Sequence, residues 1–274
     1  MFCVQPILSI QKSQQMSKYL ITALNILIAL TSFSQPHVGK TIVGIFAHPD
    51  DENMVGSVLA KYAKEGYKVY VIIATDGKYG TRVTKIPEGD SLGAIRQQES
   101  ICACKKLATE PPIFLSLDRL DTKNGVRSYL NNHKRFLAEL KKYIDSLKPD
   151  LLITFGPDGE YGHSEHIVVG ASVTELLLRE GWVEKYPLYF LAWKKEQVID
   201  DEDLSYVADK YIDVEITYSD EDEQKYFEAF ACFISQFTSE EIKESIDKQK
   251  IDKTNKVPFR KFYLPPKKKI KKSF

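Results

Sequence analysis

The residues of this chain best equipped for chemistry sit in two short runs. The first, Ala47-His48-Pro49-Asp50-Asp51-Glu52, packs one imidazole and three carboxylates into five consecutive positions. Carboxylates crowded together repel and resist losing water, a conflict that a divalent cation removes. His48 and Asp51 could then serve as ligands, leaving Asp50, which projects differently, free as a base. The same acids also suit the first turn of a helix, where they would act as caps. The second run, Gly159-Glu160-Tyr161-Gly162-His163-Ser164-Glu165-His166, sets two histidines three apart at a helix start, so both share one face. Three of the five histidines thus fall in the two runs. A His, Asp, His set with one position left for water is how catalytic zinc is usually held. His37 and His133 lack such neighbours and read as exposed surface residues.

Two runs a hundred residues apart share a site only if the fold brings them to one edge. From residue 41 short apolar stretches alternate with longer helical patterns, the signature of an α/β fold with a mainly parallel sheet, Rossmann-like, with helices on both faces. The pattern predicts strand 41–46 (TIVGIF), a helix over 52–65 ending at Gly66, strand 68–74 and a polar loop over 75–89. Helix 91–108, strand 113–117, helix 127–147 and strand 150–155 follow, then a loop over 156–163. Helix 164–179, strands 187–193 and 210–216 and helix 220–236 complete the expectation. One domain over 35–264 accommodates all of this, because no Gly/Ser/Pro-rich break divides it. In a parallel sheet ligands bind beyond the carboxyl ends of the strands, and both runs fall directly after one.

Composition excludes several classes. The chain is 43% hydrophobic and 28% charged, enough to bury a core, and Lys+Arg and Asp+Glu both count 38, so there is no bias toward nucleic acid. No G-x-G-x-x-G follows the first strand, where a nucleotide-binding fold would carry it. Residues 1–34 differ: their only charges are Lys12 and Lys18, and the apolar run Leu20–Leu30 is shorter than the roughly 20 residues that span a bilayer. With Ser32-Phe33-Ser34 behind it, the run reads as a cleavable signal peptide, Met16 being a more usual start than Met1, and an uncleaved membrane anchor is the alternative. Residues 265–274 carry five lysines and read as a solvated basic tail. Of four cysteines, Cys102 and Cys104 point apart on a helix, so a bridge between them is disfavoured and no disulfide framework is legible.

Taken together, AHPDDE after the first strand, Thr75-Asp76-Gly77 after the second, the Arg96-x-x-Glu99 helix and KPDLLITF followed by GHSEH resemble the LmbE-like or PIG-L family of zinc-dependent N-deacetylases, over roughly residues 41–240. The resemblance implies zinc held by His48, Asp51 and His166, Asp50 as general base, and a protonated His163 facing the developing oxyanion or the leaving amine. It also points Arg96 at substrate hydroxyls, against the plainer reading of an intrahelical ion pair with Glu99. Asp118 is a weaker candidate for a sugar hydroxyl, Asp76 reads as a turn residue, and the aromatic stretch Tyr186–Trp193 as a buried strand more than a sugar-stacking platform. Two departures stand out: Phe233 occupies the place of a histidine in the family's A-x-x-x-H-x-S-Q helix, and Ser164-Glu165 replaces Pro-Asp. The expected substrate is an N-acetylated amino sugar or glycoconjugate, met outside the cytoplasm, with its identity set by loops 78–90, 118–127 and 156–162. A non-catalytic carbohydrate-binding protein and a Rossmann-type nucleotide module are the alternatives.

Overall fold

In the computed structural model, which describes residues 39–198, 204–251 and 254–264, all six residues of the first strand, β1 (Thr41–Phe46), are buried. Burial on both faces is what a continuous β-branched run implies for a central parallel strand. β1 pairs in parallel with β2 (Lys68–Thr75) on one side and β4 (Leu151–Thr154) on the other. β3 (Ile113–Leu117) extends the β2 side and β5 (Leu188–Leu191) the β4 side, also in parallel. The sheet of seven strands runs β3-β2-β1-β4-β5-β7-β6, where β6 is Val214–Thr217 and β7 is Lys256–Phe262. β7 is antiparallel to both neighbours.

The strand order reverses at β1 and β4, and right-handed crossovers therefore send the helices to opposite faces. α1 (Gly56–Lys64) and α2 (Asp90–Lys106) serve the β2 and β3 side, and both pack against α5 (Asp220–Phe230). α3 (Val126–Leu147) and α4 (Ser164–Glu180) serve the other and pack on each other. Phe46, Phe155, Ile42, Leu59, Ile72 and Phe233 are among the large side chains fully buried between these layers. Each such side chain contributes ~1.5–3 kcal/mol through the apolar area it hides from water.

Several expectations are corrected. The helix predicted over 52–65 opens as a 3-10 turn, Asp51–Val55, before α1 begins. Asp50 and Asp51 cap nothing with their side chains; the Asp51 carboxylate turns back onto the strand end instead. The helix predicted over 220–236 stops at Phe230, and the next residues fold onto α2 through bonds described below. A helix, α6 (Ser239–Ile251), and strand β7 were not expected. α6 buries no residue, so its sequence carries little periodic signal, and β7 holds Pro258, which argues against an interior strand. Finally, Cys102 is bridged to Cys232, 130 residues away, while Cys104 is free and buried. Sequence spacing gives no access to such a pairing.

No helix among the described residues is long and apolar enough to cross a membrane. The signal-peptide reading of 1–34, the basic tail 265–274 and His37 lie outside the described residues. His133 is not the exposed residue expected: it is half-buried on α3, with Nε2 2.9 Å from Ser172 Oγ on α4.

Candidate metal and catalytic centre

β1 and β4 lie side by side at the switch point, so the chain leaving each delivers its chemical run to the same crevice. After β1, the Asp51 carboxylate accepts the Ala47 and His48 backbone N–H groups on Oδ2, at 3.0 and 2.7 Å. That bond pair locks Oδ1 toward the other loop, 3.2 Å from His166 Nε2. His48, His163 and His166 offer ring nitrogens that all lie within 4.8 Å of one another. His166 stacks on Phe155, with ring centroids 3.9 Å apart, and is almost fully buried. Among the described residues neither of its nitrogens has a hydrogen-bond partner, and neither has His163 Nδ1. Buried imidazole nitrogens without partners are costly in a metal-free fold and are what a cation site leaves open. The donor set, nitrogen and carboxylate oxygen around one point, fits a borderline ion such as zinc.

Glu165, which replaces the family's aspartate, reaches further than expected. Its Oε2 accepts from His48 Nε2 at 2.9 Å and its Oε1 accepts the Leu120 N–H at 2.6 Å. A carboxylate only accepts, so this contact fixes a proton on Nε2 and makes Nδ1, 3.5 Å from Asp51 Oδ2, the nitrogen that a neutral ring could offer to a cation. Burial opposes charge on His48, but Asp51 and Glu165 outweigh it and lift its pKa to about 10. Ligation displaces such a proton. Burial likewise opposes the charge of Asp51, yet His166 and His48 hold its carboxyl well below the usual range.

Asp50 sits apart from these groups, at a positive φ of 112°. Such a conformation is strained for any residue but glycine and persists only when neighbours enforce it. They do: Arg96 Nη2 donates to Pro49 O at 2.6 Å, and the Asp50 N–H donates to Glu52 Oε2 at 2.9 Å. Arg96 Nη2 also pairs with Asp50 Oδ1 at 3.1 Å, and Nη1 donates to Gly77 O at 2.7 Å. A side chain at Gly77, whose φ is 66°, or at Gly80 would run into that guanidinium. Burial pushes Asp50 up to about 6 even against Arg96.

Arg96 therefore does not pair with Glu99; both of its Nη groups are spent on the loops after β1 and β2. Glu99 accepts instead from Ser235, N–H at 2.8 Å and Oγ at 2.7 Å, while Gln236 Nε2 donates to Gly80 O at 2.8 Å. Phe233, at the place of the family's histidine, is fully buried and lies outside the lining of the cavity. Asp118 has both oxygens engaged, by Tyr79 Oη at 2.8 Å, Lys78 Nζ at 3.1 Å and Asn124 Nδ2 at 2.7 Å. It braces the loops after β2 and β3. Asp76 accepts the Lys78 N–H, the turn role expected of it. Of the stretch 186–193, Tyr186, Leu188, Phe190 and Leu191 are buried, and half-buried Trp193 lines the cavity. Burial and the charges of His48 and His166 push His163 down to about 4, opposite to the protonated state expected. Glu160, strained at φ 68°, is raised by burial to about 8, with its Oε2 3.7 Å from His166 Nδ1. A cavity of about 830 Å³ opens over these groups.

Residues 43–177 match the family model described as PIG-L, GlcNAc-PI de-N-acetylase. The chain carries a PIG-L (LmbE-like) domain. Among curated relatives, a 1D-myo-inositol 2-acetamido-2-deoxy-alpha-D-glucopyranoside deacetylase of Corynebacterium glutamicum is 34% identical over 145 residues, 47% of this chain and 50% of that one. A deacetylase of the same description from Mycolicibacterium vanbaalenii is 29% identical over 50% of this chain and 54% of its own. The chain spans about half the length of the curated relatives it matches. The N,N'-diacetylchitobiose deacetylase of Pyrococcus horikoshii superposes with a TM-score of 0.59 over 96% of this chain and 95% of that one, at 18% identity. A 4-carboxy-2-hydroxymuconate hydratase from Pseudomonas putida superposes with a TM-score of 0.57 at 13% identity, covering 85% of this chain and 100% of its own. These superpositions establish the fold of the PIG-L domain; its chemistry rests on the residues at the switch point.

Proposed function

We propose that this protein is a zinc-dependent N-deacetylase of an N-acetylated amino sugar or a glycoconjugate carrying one. The observation that carries the reading is that one strand switch gathers the ring nitrogens of His48, His163 and His166, the Asp51 carboxylate beside His166, and a separate carboxylate, Asp50, clamped by Arg96. Relatives described as acetamido-sugar deacetylases support the substrate class.

Zinc held by His48, Asp51 and His166 supplies Lewis acidity toward an amide carbonyl and acidifies water. Asp50 does the proton work. Arg96 occupies its Oδ1, so Oδ2 is the oxygen that takes a proton from the attacking water and passes it to the departing nitrogen. His163, neutral, retains one N–H to hydrogen-bond the developing oxyanion. Water and amide are consumed, and acetate and amine leave. We further propose that the enzyme works outside the cytoplasm after removal of residues 1–34, a reading supported by the Cys102–Cys232 bridge, since disulfides persist in oxidising compartments.

The test is direct: purified protein is analysed for bound metal and assayed for acetate released from N-acetylglucosamine, N,N'-diacetylchitobiose and N-acetylglucosaminyl-inositol conjugates. One zinc per chain and chelator-sensitive release of acetate are expected. Full zinc occupancy in His166→Ala, or no release from any N-acetylated sugar, overturns the reading.

A further inference from the structure

We infer that Asn53 is a specificity-determining residue that recognises hydroxyl groups on the sugar ring, an inference that rests on the proposed deacetylase reading. Asn53 lies in the 3-10 turn after the ligand Asp51 and lines the same cavity as His48, Asp50 and His166. Only 9% of it is exposed, yet neither Oδ1 nor Nδ2 has a hydrogen-bond partner among the described residues. Arg96, another residue of that lining, has its buried Nε unpartnered among the described residues.

A buried amide with both arms empty is a liability in the ligand-free fold, because it has lost water and gained nothing in exchange. No group among the described residues uses the amide, and the turn is held by its backbone, through Asn53 N–H to Asp50 O at 3.1 Å. The group therefore answers to something that enters the cavity. Its complement must both donate and accept at adjacent positions, which describes a hydroxyl or a vicinal pair of hydroxyls and excludes a purely apolar or purely anionic ligand. A site built to bond such a group rejects analogues lacking it, because they leave the buried partner empty. Arg96 spends both Nη groups on Pro49, Gly77 and Asp50, and Asp118 has both oxygens engaged, so Asn53 is the side chain of this loop with both a donor and an acceptor left for a sugar.

The experiment titrates zinc-loaded wild-type, Asn53→Leu and Asn53→Ala proteins calorimetrically with glucosamine and with cyclohexylamine, amines on six-membered rings that differ in hydroxyls and ring oxygen. Wild type is expected to prefer glucosamine by about 10-fold or more, and both variants to lose most of that preference. Thermal unfolding is the second readout: Asn53→Leu is expected to match or exceed wild type, since it removes an unpaired buried amide. A preserved sugar preference in the variants, no preference in wild type, or a clear fall in Tm for Asn53→Leu overturns the inference. Absence of acetate release from wild type overturns the deacetylase reading separately, since binding selectivity is measured without turnover.

Discussion

Asp50 shows how one residue is made into a base. Its carboxylate is not positioned by its own rotamer alone but by a strained backbone, φ 112°, held between Arg96 on the Pro49 carbonyl and Glu52 on the Asp50 N–H. Asp50→Asn preserves this shape and removes proton acceptance, so metal content is expected to stay at the wild-type level while kcat falls on the order of 100-fold or more. Elemental analysis beside steady-state kinetics checks both halves. Arg96→Lys keeps the charge but loses the fork that reaches Pro49 O, Asp50 Oδ1 and Gly77 O together. Small misplacement of a catalytic group costs up to ~100-fold, so kcat is expected to drop ~10–100-fold with KM little changed. A rise in KM at constant kcat would instead restore Arg96 to the substrate. Glu52, fully buried and turned inward, is not available as a substitute base.

At the scale of elements, α2 works as a spine. Arg96, Glu99 and Cys102 follow one another at i, i+3 spacing, and each fastens a different piece: the strand-one loop, Ser235, and Cys232. Cys102→Ser is expected to lower unfolding stability by ~2–4 kcal/mol, and reductant to do the same to wild type but not to the variant, by denaturant titration. α5 is fastened by its cap: the Ser219 Oγ and the Asp222 carboxylate form a capping box, and Lys64 Nζ lies 2.6 Å from Asp222 Oδ1. Burial alone would raise the Asp222 pKa, but Lys64 and Ser219 outweigh it and hold the carboxyl below its ordinary value. A carboxylate depressed on folding contributes stability above its unfolded pKa of ~3.9 and loses it as pH falls through the folded value. The stability gap between wild type and Asp222→Asn is therefore expected to be full above about pH 5 and to shrink steadily below about pH 4, read from urea midpoints across pH. Ser219→Ala is expected to cost ~0.5–2 kcal/mol.

For the whole molecule, the sheet places every chemical group along one edge, with the reversal between β1 and β4 as its centre. A buried carboxylate-histidine cluster of this kind folds at the expense of desolvation, and a bound cation offsets it. Export belongs to this scale too. If Leu20–Leu30 is the core of a cleaved signal, mass spectrometry of protein from its native host is expected to find an N-terminus near Gln35. An intact start at Met1 or Met16 would rule that out.

The sequence by itself determined the central strands, their parallel pairing and the two chemical runs, because each is local: an unbroken apolar stretch names a buried strand, and AHPDDE and GHSEH carry their meaning in adjacent residues. It was silent on α6 and β7, whose burial pattern is faint or interrupted by proline. Only the tertiary structure decided that Arg96 serves Asp50, that Glu165 orients His48 across 117 residues, that Glu99 meets Ser235 across 136, and that the buried Asn53 amide has no partner among the described residues. Those facts concern which polar group finds which partner once water is gone. That is settled by the packing of distant segments, and no spacing along the chain encodes it.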